Sequence, residues 1–221
     1  MEGMAQVRLT KPILIVLYGF PGSGKTSFAR QFCETINAAH INSERIRGEL
    51  FEKPKYDKAE SAVVDHLTEY MMEEFLKAGV SVVYDANIIR AGQRRKLREV
   101  ARKTRSEYML VWFQIDIESA FTRVVKRDRR KADNRFARAF DRTGFDAHLS
   151  TMQHPVKEED YIVLSGKHAF GMQRNTIMKH FFDLNLITAD DVASHLVKPG
   201  LINLVPAAGR VDLSRRNITI R

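Results

Sequence analysis

Residues 19–26 read G-F-P-G-S-G-K-T, directly after the apolar run I-L-I-V-L-Y at 13–18. This is the pattern G-x-x-x-x-G-K-[ST] in the setting it requires, between a β-branched strand and a helical stretch. Gly19, Gly22 and Gly24 allow the backbone to curl so that its N–H groups point inward. Those donors, together with the positive end of the following helix, form a cradle for phosphates. The cradle fixes the local order strand, loop, helix, and with it the class of fold the chain can adopt.

The rest of the chain repeats that alternation. Residues 24–37 read as a helix, 39–42 as a short strand and 44–52 as a short helix, which Pro54 follows. Between 58 and 77 apolar residues recur at helical spacing until Gly79, and V-S-V-V-Y-D at 80–85 is a second buried strand. A basic helix at 91–105, a strand at 108–116, a helix at 118–131, a strand at 161–165 and a helix at 173–187 complete the pattern. Strands alternating with helices predict an α/β three-layer sandwich around a mainly parallel sheet. Residues 132–146 are polar and show no period. The expected organisation is a core over 1–170, containing an arginine-rich lid at about 123–146, and a C-terminal helix with a basic tail over 171–221 that packs on the core or extends from it.

With 221 residues the chain has enough material for one substantial core. A net charge of +9 favours anionic partners, such as nucleotides, phosphorylated metabolites or nucleic acid. Cys33 is the one cysteine, so no internal disulfide forms and a packed helix residue is expected there. The run at 13–18 is too short to span a bilayer, and a cytoplasmic location is expected.

A phosphate cradle is compatible with a kinase, a hydrolytic ATPase or a nucleotide-dependent switch. The guanine-binding string N-K-x-D is absent, and the D-x-x-G match at Asp141–Gly144 does not follow a strand. Hydrolytic ATPases usually place Glu after the Asp of the second acidic strand, whereas Asp85 is followed by Ala86. Both absences favour phosphoryl transfer to an acceptor. The seven histidines are scattered, and no protein-ligated transition metal is expected.

Three motifs occur in order: G-F-P-G-S-G-K-T-S-F-A-R, I-N-S-E-R-I-R at 41–47, and V-V-Y-D-A-N at 82–87 with Arg94 shortly after. Together they resemble the P-loop kinase group that includes phage-type polynucleotide kinases, zeta-toxin-like kinases and small-sugar kinases. The resemblance covers about residues 13–165. It implies ATP in the cradle, bound by Gly19, Pro21, Gly22, Ser23, Gly24, Lys25, Thr26 and Ser27, with Lys25 reaching the β- and γ-phosphates. It implies magnesium near Thr26 and Asp85. Glu44 stands where the group carries its general base, usually Asp, and Arg47 where it contacts the acceptor or the transferring phosphate. Asn87 takes the second place of the group's D-x-N arrangement.

Residues 123–142 contain nine Lys or Arg in twenty. Related kinases carry a lid here, whose arginines stabilise charge on the transferring phosphoryl. Arg127 is the first candidate for that role, with Arg123 and Arg130 behind it. The expected catalytic set is therefore Lys25, Glu44, Arg47 and Arg127, with Arg123 and Arg127 also on ATP. The expected partners are ATP and a hydroxyl-bearing acceptor. The basic helix 91–105 and the basic tail lean toward a polynucleotide 5′-hydroxyl, with a nucleoside, sugar or UDP-sugar as the alternative, and no membrane is involved. A non-catalytic switch that binds ATP is the reading from a different class. The sequence leaves the oligomeric state open.

Overall fold

The computed structural model describes residues 6–128, 130 and 134–188. The strands are β1 (Ile13–Gly19), β2 (Ala39–Asn42), β3 (Val82–Asp85), β4 (Glu107–Gln114) and β5 (Tyr161–Ser165). They form one five-stranded sheet in the order β2-β3-β1-β4-β5, and every pairing is parallel. The helices are α1 (Lys25–Ile36), α2 (Ser43–Leu50), α3 (Lys58–Lys77), α4 (Ala91–Lys103), α5 (Ile117–Val125), α6 (Arg142–Ser150) and α7 (Phe170–Asp183). The architecture is an α/β three-layer sandwich.

β1 is central and buried along its whole length, as a continuous apolar run requires. Its alternating side chains feed two separate layers. Ile13, Ile15 and Leu17 pack with Phe28 and Phe32 of α1 and Ile177, Met178 and Phe181 of α7. Leu14, Val16 and Tyr18 pack with Met72 and Leu76 of α3 and Leu97 and Ala101 of α4. Truncating one of the buried phenylalanines to Ala costs roughly 3–5 kcal/mol. Cys33 sits in the first layer, where burial pushes its thiol up to about 12, and the charges of Asp85 and Glu34 add to the rise. It is an inert core residue.

Three sequence expectations are corrected. β3 begins at Val82 rather than Val80, because Gly79 (φ 80°) and Val80 close α3 with N–H bonds to Leu76 and Phe75. α5 ends at Val125 rather than 131. Continuing it would stack Arg123 on Arg127 and Lys126 on Arg130, and like charges four apart oppose a helix. α6 had no visible period because Phe145 is its only buried residue. Its start is the Asp141-x-x-Gly144 string, a helix cap in which Asp141 accepts the Gly144 N–H at 2.8 Å. The expected C-terminal helix is α7, which begins at Phe170 and supplies Ile177, Met178 and Phe181 to the main core. The tail reading over 199–221 lies outside the described residues.

Candidate active site

In an open parallel sheet, ligands bind at the carboxyl ends of the strands where the chain switches direction across the sheet. Here that point lies between β1 and its neighbours β3 and β4. The loop after β1 follows a path only glycine allows. Gly19, Gly22 and Gly24 all have positive φ, and a Cβ on Gly22 would lie 2.3 Å from the Ala120 carbonyl oxygen of α5. Gly24 opens α1 without a side-chain cap, and the first turn of α1 holds no acidic residue. The N-terminal N–H groups and the helix dipole are thus left for an anion.

Lys25 Nζ donates to the carbonyls of Gly19 (2.7 Å) and Phe20 (2.9 Å), which places its ammonium over the loop. Burial lowers this ammonium to about 8; the Asp85 charge opposes the shift and Arg127 reinforces it. Arriving phosphates would favour the charged form again. Ser23 turns inward from the cradle. Its side chain is fully buried rather than facing the cleft, and its N–H donates to the Phe20 carbonyl at 3.1 Å. The absence of a Cβ on Gly19 makes the room for it.

Asp85 ends β3 level with Asn42 at the end of β2. Asn42 Nδ2 donates to Asp85 Oδ2 at 2.6 Å, and His40 Nε2 lies 3.4 Å from the same oxygen. Burial alone would raise the Asp85 carboxyl. The hydrogen bond and charge of His40, the charge of Lys25 and the hydrogen bond from Thr26 outweigh it and hold Asp85 below the usual carboxylate range. An ionised carboxylate beside a threonine hydroxyl is a hard oxygen donor pair, which suits magnesium. Among the described residues no group of three or more His, Cys, Asp or Glu could hold a metal by itself. The remaining ligands would therefore come from ATP phosphates and water.

Glu44 stands in the first turn of α2, a helix capped by Asn42 Oδ1 accepting the Arg45 N–H at 2.7 Å. Burial raises the Glu44 carboxyl; the Tyr56 hydroxyl, which donates to Oε2 at 3.0 Å, and the charges of Arg47 and Arg138 oppose that rise. Arg47 is 6% exposed, and its guanidinium donates to Glu60 (3.2 Å) and Ser61 (3.4 Å). It forms part of the cleft wall while being anchored to α3.

Gly19, Pro21, Gly22, Gly24, Lys25, Thr26 and Ser27 border a single cleft of about 1450 Å³. Glu44, Arg47, Asp85, Asn87, Arg123, Arg127 and Arg130 border it too. Arg123 donates to the Gly166 carbonyl at 2.8 Å, and Arg127 to the Arg138 carbonyl at 3.1 Å. Arg130 pairs with Asp128 at 3.0 Å. Tyr56, Arg138 and His148 also line the cleft, and none of them was singled out as a site residue from the sequence. The His148 ring is lowered to about 4 by burial and by the charges of Arg138 and Lys25, so it is neutral at physiological pH. Each sits in a loop or in the aperiodic stretch around α6. Two signals were available: Arg138 lies in the arginine-rich stretch 123–142, and Tyr56 is an aromatic residue directly before the Asp57 cap of α3.

Strand order, cradle and the Thr26–Asp85 pair together define a nucleotide-binding domain with a P-loop kinase-like fold. The chain belongs to the AAA domain family, whose model matches residues 14–154. The L-seryl-tRNA(Sec) kinase of Methanococcus maripaludis is 21% identical over 120 residues, 53% of this chain. The chain spans only about half of that kinase's length, 47%. The Mycobacterium tuberculosis APS kinase in complex with AMPPNP and APS superposes with a TM-score of 0.57 at 20% identity, covering 76% of this chain and 96% of that one. A chain of the Pnkp1/Rnl/Hen1 RNA repair complex superposes with a TM-score of 0.55 at 21% identity, covering 64% of this chain and 44% of that one. At these identities the likeness is one of fold. It extends to proteins of different kinds and does not single out the polynucleotide-kinase and zeta-toxin group. No helix among the described residues is long and apolar enough to cross a membrane.

Proposed function

We propose that this chain is an ATP-dependent kinase that transfers the γ-phosphoryl group to an alcohol hydroxyl of a small-molecule acceptor. The observation that carries this reading is that the half-buried Glu44 carboxylate shares one cleft with the phosphate cradle. A volume of about 1450 Å³ exceeds the roughly 300–1,000 Å³ of a pocket for one drug-sized ligand, so nucleotide and acceptor fit side by side.

In this reading the cradle and α1 hold the ATP phosphates, and Thr26 and Asp85 hold magnesium, which supplies positive charge against the phosphate oxygens. Glu44 accepts the hydroxyl proton of the acceptor as its oxygen bonds to the γ-phosphorus and the bond to the departing ADP oxygen breaks. A carboxyl raised by burial is a better base near neutral pH. Lys25 and Arg127 stabilise charge on the transferring group.

The small-molecule acceptor is supported by the extent of the fold likeness. The APS kinase chain is matched over 96% of its length, against 44% for the RNA repair chain. A polynucleotide 5′-hydroxyl is the second reading, favoured by Arg90, which borders the cleft and leads into basic α4. Labelled γ-phosphate ATP offered with a pool of sugars, nucleosides, UDP-sugars and 5′-hydroxyl oligonucleotides tests both. Label on a small molecule supports the first reading. Label on oligonucleotides, with binding that weakens steeply with salt, favours the second. ATP turnover that no acceptor stimulates counts against both.

A further inference from the structure

Tyr56 occupies a strained position that its surroundings enforce. It lies in the loop between α2 and α3 with φ 58°, in the left-handed region that a bulky residue rarely adopts. Glu60, buried in the first turn of α3, clamps this loop. Its carboxylate accepts the N–H groups of Lys55 (2.8 and 3.0 Å) and Tyr56 (2.8 Å) and also the Arg47 guanidinium (3.2 Å). Backbone strain of this kind persists where neighbours over-determine the conformation, and it concentrates at functional sites.

The clamp aims the side chain. The Tyr56 ring packs against two guanidinium groups, Arg47 at 4.8 Å and Arg138 at 4.5 Å from its centroid. Its hydroxyl donates to Glu44 Oε2 at 3.0 Å. Arg138 belongs to the arginine-rich stretch, and that stretch also touches α2, where Phe136 fills the space beside Gly48: a Cβ there would lie 2.2 Å from the phenylalanine ring. Hence three elements meet at one tyrosine: the helix carrying Glu44, the loop before α3, and the segment carrying Arg138. A glutamate has one more side-chain torsion than an aspartate, so a base of this length needs something outside its own helix to fix its aim.

We infer that Tyr56 is a positioning residue for Glu44, its hydroxyl orienting the carboxylate and its ring tying that carboxylate to the Arg138 segment. This rests on the reading of Glu44 as the base. The hydroxyl leaves Oε1 of Glu44 without the constraint placed on Oε2, so one oxygen is held while the other is available for a proton. Arg138 adds a charge that arrives with the arginine-rich segment. Base geometry and the placement of that segment are thereby linked through one ring.

The groups that act electrostatically on Glu44 are Tyr56, through its hydrogen bond, and the charges of Arg47, Arg138 and Asp85. Removing the Tyr56 hydroxyl takes away a hydrogen bond to the ionised form, so Glu44 should titrate at higher pH. Tyr56→Phe keeps the ring against the two arginines and isolates that bond. The experiment follows the Glu44 side-chain carboxyl by carbon-13 NMR in the full chain, assigned with Glu44→Gln, in wild type and Tyr56→Phe. The expected result is a titration displaced upward by roughly half a pH unit or more in Tyr56→Phe. AMP-PNP binding should stay within about twofold, since the cradle is untouched. In the transfer assay kcat should fall roughly 10–100-fold, with the KM for ATP unchanged and the acid limb of the pH profile moved the same way. Coincident Glu44 titrations in the two proteins would overturn the inference. Should Glu44→Gln transfer phosphate as well as wild type, the reading of Glu44 as base fails instead, and the NMR titration still decides what Tyr56 does to it.

Discussion

Asn42 donates to Asp85 across 2.6 Å while its other amide atom caps α2, the helix that carries Glu44. One side chain therefore sets both the carboxylate at the end of β3 and the start of the helix with the proposed base. Asn42→Asp keeps the cap, because aspartate caps as well as asparagine, but it loses the amide donor and brings a second carboxylate against Asp85. Asn42→Ala also loses the cap, at a cost of about 1 kcal/mol. Urea denaturation should find Asn42→Ala less stable than Asn42→Asp. Calorimetry should find the magnesium dependence of AMP-PNP binding altered in both. A normal magnesium dependence in Asn42→Asp would show that Asp85 does not need its partner.

Lys25 gives a pH dependence with a definite sign. Its ammonium is lowered to about 8 from the ordinary 10.5, chiefly by burial. Bound phosphates favour the charged form, so the complex keeps this proton to higher pH than the free protein. Between those two values binding takes up a proton and weakens as pH rises. Calorimetry at about pH 9 in buffers of different ionisation enthalpy should register uptake of a fraction of a proton on AMP-PNP binding, absent in Lys25→Met. Equal uptake in both proteins would assign the proton elsewhere.

The glycines of the cradle should differ in cost. A Cβ at Gly24 meets nothing closer than the Gly166 carbonyl at 4.0 Å, so Gly24→Ala adds only left-handed strain, about 1–3 kcal/mol. At Gly22 the same methyl would lie 2.3 Å from the Ala120 carbonyl, and α5 has to move. Chemical denaturation should rank Gly22→Ala below Gly24→Ala in stability. The reverse order would contradict the packing of the loop against α5.

Arg94 is 1% exposed and grips Glu159 with two bonds, 2.6 and 2.7 Å, while also donating to the Gln153 carbonyl at 2.8 Å. This ties α4 to the turn before β5. Arg94→Ala strands a carboxylate and should cost about 3–5 kcal/mol. The hydrogen bonds from Arg94, outweighing a smaller opposing effect of burial, hold the Glu159 carboxyl below the ordinary 4.5. A lowered carboxyl contributes stability that is complete above its unfolded value and is lost as pH falls through the folded one. The gap in stability between wild type and Arg94→Ala should therefore narrow under acid. A gap that stays constant down to pH about 3 would count against the pair.

Much of this molecule was legible because local chemistry dictates it. The apolar run of β1, the glycines at 19, 22 and 24, and an acid at the end of a buried strand each follow from short-range requirements. Glu44 was legible through its motif. Other features depend on contacts distant in sequence. The strand order reflects how helices pack across the sheet. Ser23 turns inward because a neighbouring residue lacks a Cβ. The α6 helix buries one side chain and so carries no period, and its cap looked like a stray D-x-x-G. Tyr56 and Arg138 are 82 positions apart, and their meeting depends on the placement of two loops.

The most direct test of the account is single-turnover transfer from labelled ATP by wild type and Glu44→Gln, on whichever acceptor the pool identifies. The isosteric change keeps the size of the side chain and removes its basicity. Wild type should label the acceptor, and Glu44→Gln should do so at least roughly 100-fold more slowly with AMP-PNP binding intact. Transfer by Glu44→Gln at the wild-type rate would contradict the central claim, leaving a nucleotide site whose chemistry does not use the carboxylate facing it.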